Sequence, residues 1–309
     1  MRLGLSIYSF KQAWVDAFGL IDRAAAAGLT AVEIPTEGYA GTEDLARLRD
    51  YAAEHGLGII ADGGVVEEAA LRRWLPQAKA VGAPVLRVII SRVLGGNRRQ
   101  LNGGWRAHLE AARDALRAVR PLAEDYDIPI AIENHQDIAS DELIWLCEQV
   151  GGNHIGVTLD TGSTLALAED PLGYTRRVKH LVKNVHIKDY QVYLSPSGYR
   201  LVTCAIGAGV VDFPAFFALF ADQPDLPMNI ELGARQARHV ELLAEDWWTD
   251  YPPRRVQDLL PALRVVFARG RPADAEWRLP HERGEPAETL LAYELDELAA
   301  SVAYLQRYR

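Results

Sequence analysis

The sequence predicts an α/β protein, a (β/α)8 TIM barrel with a C-terminal helical extension, and three observations carry that expectation. Short β-branched and apolar runs recur eight times along the 309 residues, amphipathic stretches separate them, and glycines stand where helices should end. The runs fall at 3–8, 31–35, 58–62, 85–90, 130–133, 156–160, 184–187 and 228–231. Eight βα units favour a closed barrel over an open sheet. Helices over 20–27, 45–55 and 71–81 stop before Gly28, Gly56 and Gly82, each suited to a helix C-cap ahead of the next strand. The connection at 190–211 holds Pro196, Gly198, Gly207 and Gly209 and is expected as an elaborated loop over the barrel mouth. After the last strand, DWWTDYPPR precedes two further helices over 256–269 and 287–307. The chain is therefore expected to be one barrel domain over 1–309, with 236–309 a helical extension packed on it. Trp247 and Trp248, beside Pro252 and Pro253, suit either wrapping of the barrel or a subunit contact.

Charge and composition exclude several functions. With 33 basic against 42 acidic residues the net charge is -9, unlike a protein that grips phosphate backbones, so no nucleic-acid partner is expected. No apolar run approaches the roughly 20 residues that span a bilayer, and MRLGLSIYSF begins a strand pattern rather than a signal peptide. These features lead to the expectation of a soluble, cytoplasmic protein without a membrane partner. Cys147, in a helical stretch, and Cys204, expected in a loop, suggest free thiols rather than a disulfide framework. A glycine-rich phosphate loop after the first strand, a GxSxG elbow and a nucleotide-cofactor fingerprint are all missing from the sequence, which leaves hydride and acyl transfer without support.

The strongest functional signal is positional. Four apolar runs end in residues that bind metals, in AIENH, VTLD, NVHIKD and NIELG, giving Glu133, Asp160, His186 and Glu231. Strand C-termini of a parallel barrel open on one face, so these side chains should converge despite their separation in sequence. A single acid after a strand is often a helix N-cap. Four at equivalent places, each behind residues that shut out water, point to a shared ion, because buried charges need partners. The mainly oxygen donor set suits Mn²⁺ first, with Mg²⁺ or Co²⁺ as alternatives.

With AAAAGLTAVEIP, AIENH, VTLDTGS, NVHIKDY, IGAGVVDF and NIELG together, residues 1–235 resemble the xylose isomerase-like barrel superfamily of sugar phosphate isomerases and epimerases. The resemblance implies a divalent ion held by Glu133, Asp160, His186 and Glu231. Two departures stand out. Ketose 3-epimerases of the superfamily usually carry a His where this chain has Ser163 and a Glu where it has Ala139. The superfamily's endonucleases use a histidine-rich three-metal site, whereas this chain has eight histidines in all.

The expected chemistry is isomerisation or epimerisation of a small sugar or sugar derivative through a metal-stabilised enediolate, with Glu133 and Glu231 moving protons. His135 shares strand parity with Glu133 and is a candidate acid or hydrogen-bonding group, or a structural histidine. Lys188 shares parity with His186 and is placed either to neutralise a developing oxyanion or to pair with a carboxylate. Glu33, Arg87 and Tyr8 are candidate substrate-binding residues, Phe10 a candidate wall, and Arg235 and Arg238 candidate ligands for an acidic group. The alternative is a lyase on the same ion: a 3-oxo sugar acid decarboxylase, a keto-inositol dehydratase or a 3-keto glycoside deglycosidase. The expected partner is a small sugar or sugar-acid substrate, with a homo-oligomer or a small accessory subunit also open. A non-catalytic sugar-binding barrel is the remaining class, and it has no need of four convergent ligands.

Overall fold

In a computed structural model, residues 2–39, 41–233 and 237–308 are described. Their strands are β1 (Arg2–Ser6), β2 (Ala31–Pro35), β3 (Gly58–Val65), β4 (Leu86–Ile89), β5 (Ile130–Glu133), β6 (Ile155–Asp160), β7 (Val182–Ile187), β8 (Asp189–Ser195), β9 (Gly198–Cys204), β10 (Pro227–Ile230) and β11 (Arg238–Val240). β1 to β7 and β10 close a parallel barrel in which β10 lies between β7 and β1. Each of the eight expected runs supplies one barrel strand, so the TIM barrel stands.

The helices are α1 (Ala17–Ala26), α2 (Thr42–Glu54), α3 (Glu68–Ala80), α4 (Trp105–Tyr126), α5 (Ser140–Val150), α6 (Pro171–Val178), α7 (Phe213–Leu219), α8 (Val256–Arg269) and α9 (Ala287–Leu305). Their ends follow local chemistry. Asp16 accepts the Gly19 N–H at 2.9 Å and so caps α1, which finishes before Gly28 at φ +67°. Asp170 and Asp212 cap α6 and α7 in the same way, each with Pro in the first two helical positions, Pro171 and Pro214. The outward faces of the barrel strands pack on these helices, and the fully buried Leu5, Val32, Val88, Ile132 and Leu159 belong to that core.

The connection at 190–211 is not the irregular loop expected. β8 and β9 pair as an antiparallel hairpin turning at 196–197, and β11 adds to β9. Its alternation was legible: Tyr190, Val192, Tyr199 and Leu201 are buried in a second core with Trp247 and Val266. Pro and Gly mark the turn rather than a structureless crossing. Cys204 accordingly ends a strand, and both cysteines are buried and unpaired.

The C-terminal segment folds back on the barrel. The Glu294 carboxylate on α9 accepts the backbone N–H groups of Lys11, Gln12 and Ala13 at 3.0, 2.9 and 2.8 Å, fixing the loop after β1. Trp247 is fully buried, donates from Nε1 to the Gly95 carbonyl at 3.0 Å and stacks on Tyr251. Trp247 thus packs within the chain, against the loop after β4. Among the described residues no helix is long and apolar enough to cross a membrane.

Candidate metal centre and active site

Alternate side chains of each barrel strand point inward. One interior layer, Ile60, Val85 and Ala131, is apolar and plugs the barrel. The next inward residue toward the C-terminal ends is polar on strand after strand: Asp62, Arg87, Glu133 and, on their own strands, Glu33, Asp160 and His186, all buried. Glu231 follows directly on β10. Gly4 makes room for this layer, since a Cβ there would lie 2.1 Å from Asn229 Oδ1.

Glu133, Asp160, His186 and Glu231 meet at the centre of the layer, with one ligand atom from each lying within 4.8 Å of all the others. The arrangement fits a divalent cation by a test independent of sequence pattern. Glu133 Oε1, His186 Nδ1 and Glu231 Oε2 are buried without a hydrogen bond, although Nδ1 stands 3.3 Å from the first oxygen and 2.6 Å from the second. Polar atoms are left facing one another in this way when an ion belongs among them.

Second contacts orient each ligand. His186 Nε2 lies 2.7 and 2.8 Å from the two oxygens of Glu33, which is fully buried beneath it. With an ion bound, donation of Nε2–H to that carboxylate would leave the Nδ1 lone pair to face it. Burial opposes charge on His186, yet Glu33, Glu133 and Glu231 outweigh it and hold its pKa well above the usual range. Asp160 accepts the N–H groups of Gly162 and Ser163, both at 3.0 Å, and the Ser163 hydroxyl at 2.7 Å. Asn134 accepts the Asp160 N–H at 2.7 Å and donates to its carbonyl at 2.9 Å.

The two glutamates are gripped by cations. Arg87 donates from Nε to Glu133 Oε2 at 2.5 Å, with a closer contact from Nη2. Burial would raise the Glu133 pKa, but Arg87 and then His186 bring it down to about 2. Lys188 Nζ lies 2.7 Å from Glu231 Oε1 and 3.6 Å from Asp160 Oδ2. Burial again works upward on Glu231, and Lys188 and His186 hold it well below the carboxylate range.

A cavity of about 440 Å³ opens onto this centre, with Tyr8, Arg87, His135, Lys188 and Glu231 in its wall. The Tyr8 hydroxyl donates to Asp62 Oδ2 at 2.5 Å, and Arg87 Nη1 reaches Asp62 Oδ1 at 2.5 Å. Burial pushes the Asp62 carboxyl up to about 6 against the pull of Arg87. His135 is half-buried, its Nδ1 has no hydrogen-bond partner, and burial pushes its pKa down to about 4, so it is neutral at pH 7.

The expected site residues thus sort by position. Tyr8, Arg87, His135, Lys188 and Glu231 face the cavity, and Glu133, Asp160 and His186 lie in the metal cluster. Glu33 is directed at His186, Asn184 and Asn229 from below and is not among the residues of the cavity wall. Phe10 is buried in the main core beneath Arg23 rather than in the cavity wall. Arg238 reaches the wall, whereas Arg235 lies outside the described residues. Sequence reasoning passed over Asp62, although it shares parity with Ile60 and sits at a strand end like the ligands. It also treated Ser163 only as a departure; here it is the group that holds Asp160.

Comparisons with known proteins agree with this geometry. The chain is 23% identical over 229 residues to the 3-oxo-isoapionate decarboxylase of Pectobacterium atrosepticum, covering 70% of this chain and 79% of that protein. Among solved structures, D-psicose 3-epimerase from Clostridium cellulolyticum superposes with a TM-score of 0.62 at 15% identity, covering 87% of this chain and 98% of that one. The probable 3-DHS dehydratase of petrobactin synthesis from Bacillus anthracis gives 0.60 at 14% identity, covering 87% and 99%. These structures, so distant in sequence, share the fold. The model of the xylose isomerase-like TIM barrel matches residues 21–251, and with the closed barrel and the convergent cluster at its mouth, the chain belongs to the xylose isomerase-like TIM barrel family.

Proposed function

We propose that the protein is a divalent-metal-dependent lyase acting on a ketone of sugar origin, with Glu133, Asp160, His186 and Glu231 holding the ion. When bound, a divalent ion supplies a Lewis acid for the substrate carbonyl; Mn²⁺ is the first choice for this donor set. One observation carries the reading: the outer oxygens of both ligand glutamates are occupied by cations, Glu133 by Arg87 and Glu231 by Lys188.

Epimerisation and isomerisation move a proton on and off carbon, and a carboxylate serves as base in proportion to its proton affinity. Arg87 on Glu133 and Lys188 on Glu231 favour the ionised carboxylates over their protonated forms, so a reaction that must abstract a C–H proton is at a disadvantage here. Decarboxylation of a 3-oxo acid breaks a C–C bond whose electrons flow to the carbonyl oxygen, whereas elimination next to a ketone first requires removal of the α C–H proton. The decarboxylation route needs no carbon base, only a proton donor afterwards. Lys188 is charged, faces the cavity and is assigned that donation, while neutral His135 accepts a hydrogen bond from a substrate hydroxyl. Tyr8, held by Asp62, and Arg87 position the substrate oxygens. The distant relationship to a 3-oxo sugar-acid decarboxylase supports the same reading.

Isomerase or epimerase chemistry is the second reading. The epimerase fold neighbours favour it, and the residues in place of the usual epimerase His and Glu, Ser163 and Ala139, weigh against it. The test is proton NMR of Mg²⁺-loaded protein in D₂O with 2-ketoses, 3-oxo aldonates and 3-oxo glycosides, repeated by product assay with Mn²⁺. Release of CO₂ from a 3-oxo aldonate is expected. Deuterium entering a ketose with its mass otherwise unchanged, and no group released from any oxo substrate, would return the protein to the isomerases.

A further inference from the structure

We propose that the substrate carries an acidic group, a carboxylate or a phosphate, received by Arg92 in the wall of the cavity. The proposal rests on the reading of this cavity as the substrate site, and adds the charge class of what enters it.

The argument is one of unmatched charge. The protein as a whole is acidic at -9, yet the wall of the 440 Å³ cavity holds Arg87, Arg92, Lys188 and Arg238 against two acids, Glu37 and Glu231. Most of these charges are already committed. Arg87 is spent on Asp62 and Glu133, and Lys188 on Glu231 and Asp160. Glu37 is turned to Arg73 at 3.4 Å, outside the set of wall residues. A divalent ion with Arg87 and Lys188 brings four positive charges to Glu33, Asp62, Glu133, Asp160 and Glu231, and none of these five carboxylates pairs with Arg92.

Arg92 is what is left over. It is exposed, follows directly on Ser91 at the end of β4, and makes no hydrogen bond or ion pair with any described residue. Its neighbour holds the backbone still: the Ser91 N–H and hydroxyl are both bound by the buried Asp137 carboxylate, at 2.9 and 2.7 Å. The guanidinium is thus carried on an anchored backbone, in a concave wall, with its donors unused. A planar fork of that kind binds an oxyanion in two parallel hydrogen bonds, and Arg238 adds a second positive charge to the same wall. A neutral sugar would leave this charge unanswered.

The experiment is binding calorimetry on the full-length, Mn²⁺-loaded protein with three probes: threitol, its acid counterpart threonate, and glycerol 3-phosphate. At least one anion should bind about tenfold tighter than threitol, as a charge-assisted pair implies. Arg92→Met should abolish that margin while leaving threitol affinity and metal content unchanged. Which anion loses its advantage distinguishes a carboxylate from a phosphate. The proposal is overturned if neither anion is preferred, if no probe binds, or if the preference survives in Arg92→Met, which would put the anion on the metal or Lys188. Because binding is read rather than turnover, failure of the lyase reading does not disturb the outcome, and the converse holds.

Discussion

Replacing Glu33 by Gln tests the metal centre without touching a ligand. The Glu33 carboxylate accepts His186 Nε2 at 2.8 Å and the Asn184 amide at 3.0 Å on one oxygen, with its other oxygen 2.7 Å from the same imidazole nitrogen. A glutamine has one acceptor and one donor for this position. If its oxygen satisfies Asn184, its amide turns to His186 Nε2 and stabilises the tautomer protonated on Nδ1, the wrong one for ligation. Loss of such a partner costs about 10- to 100-fold in metal affinity, or roughly 1.4 to 2.8 kcal/mol. Protons complicate the comparison in a calculable direction. Glu33 also contributes to raising the His186 pKa, so in the variant fewer protons compete for Nδ1. The deficit should therefore be smaller at pH 6.5 than at pH 8. The assay is Mn²⁺ titration followed by the electron paramagnetic resonance of the free ion, with circular dichroism as the folding control. A folded variant with affinity within twofold of the parent at both pH values would refute the argument that Glu33 sets the imidazole.

Three further outcomes follow from the same geometry. Because the metal-free His186 is held protonated by its carboxylates, metal binding below its raised pKa displaces a proton; apparent affinity should rise about tenfold per pH unit as pH increases and level off above that pKa, and titrations in buffers of different ionisation enthalpy should report about one proton released. Lys188→Met removes the cation on Glu231 Oε1, returns the Glu231 pKa toward its ordinary value, and should lower group release from an oxo substrate at least about 100-fold while metal is retained; unchanged turnover would take Lys188 out of the mechanism. Trp247→Ala should cost about 3 to 5 kcal/mol in urea denaturation, since the ring is fully buried and its N–H satisfies the Gly95 carbonyl.

What the sequence disclosed, and what it concealed, divides along a physical line. Strand number and the four ligands were legible because a charged residue ending an apolar run violates the ordinary cost of burial, and only a shared partner excuses four of them. The same rule applied to Asp62, which closes the run at 58–62, but its carboxylate pairs with Arg87 and Tyr8 instead of joining the cluster, and β3 runs on to Val65. The hairpin was lost because a turn signal at Pro196 and Gly198 was read together with its flanks, although Tyr190 and Val192 alternate with Asp189 and Gln191 in the two-residue period of a strand. Glu33 shows the limit of parity. Sharing the inward face says that a side chain enters the barrel, while depth decides between substrate and ligand. That depth comes from barrel stagger: His186 pairs in register with Asn229, and Glu33 reaches Asn229 from two strands away and His186 from three.

Register also explains the cationic clamps, and through them the chemistry. Arg87 pairs with Ala131, one inward step below Glu133, so its long stem brings the guanidinium level with that carboxylate. Lys188 and Glu231 stand one residue past the last pair of β7 and β10, Ile187 with Ile230, and meet side by side. Two cations this close to a cation site oppose the ion's entry, and removing them would strengthen metal binding on charge alone. Their presence is intelligible only if strong binding is not what the site requires. By drawing charge from the outer oxygens, they weaken the glutamates both as donors and as bases. Weaker donors leave more of the ion's positive charge for the substrate carbonyl. Weaker bases leave substrate C–H bonds alone. On the proposed reading, a centre built that way would pull electrons toward a ketone and spare the neighbouring proton, which decarboxylation permits and epimerisation does not.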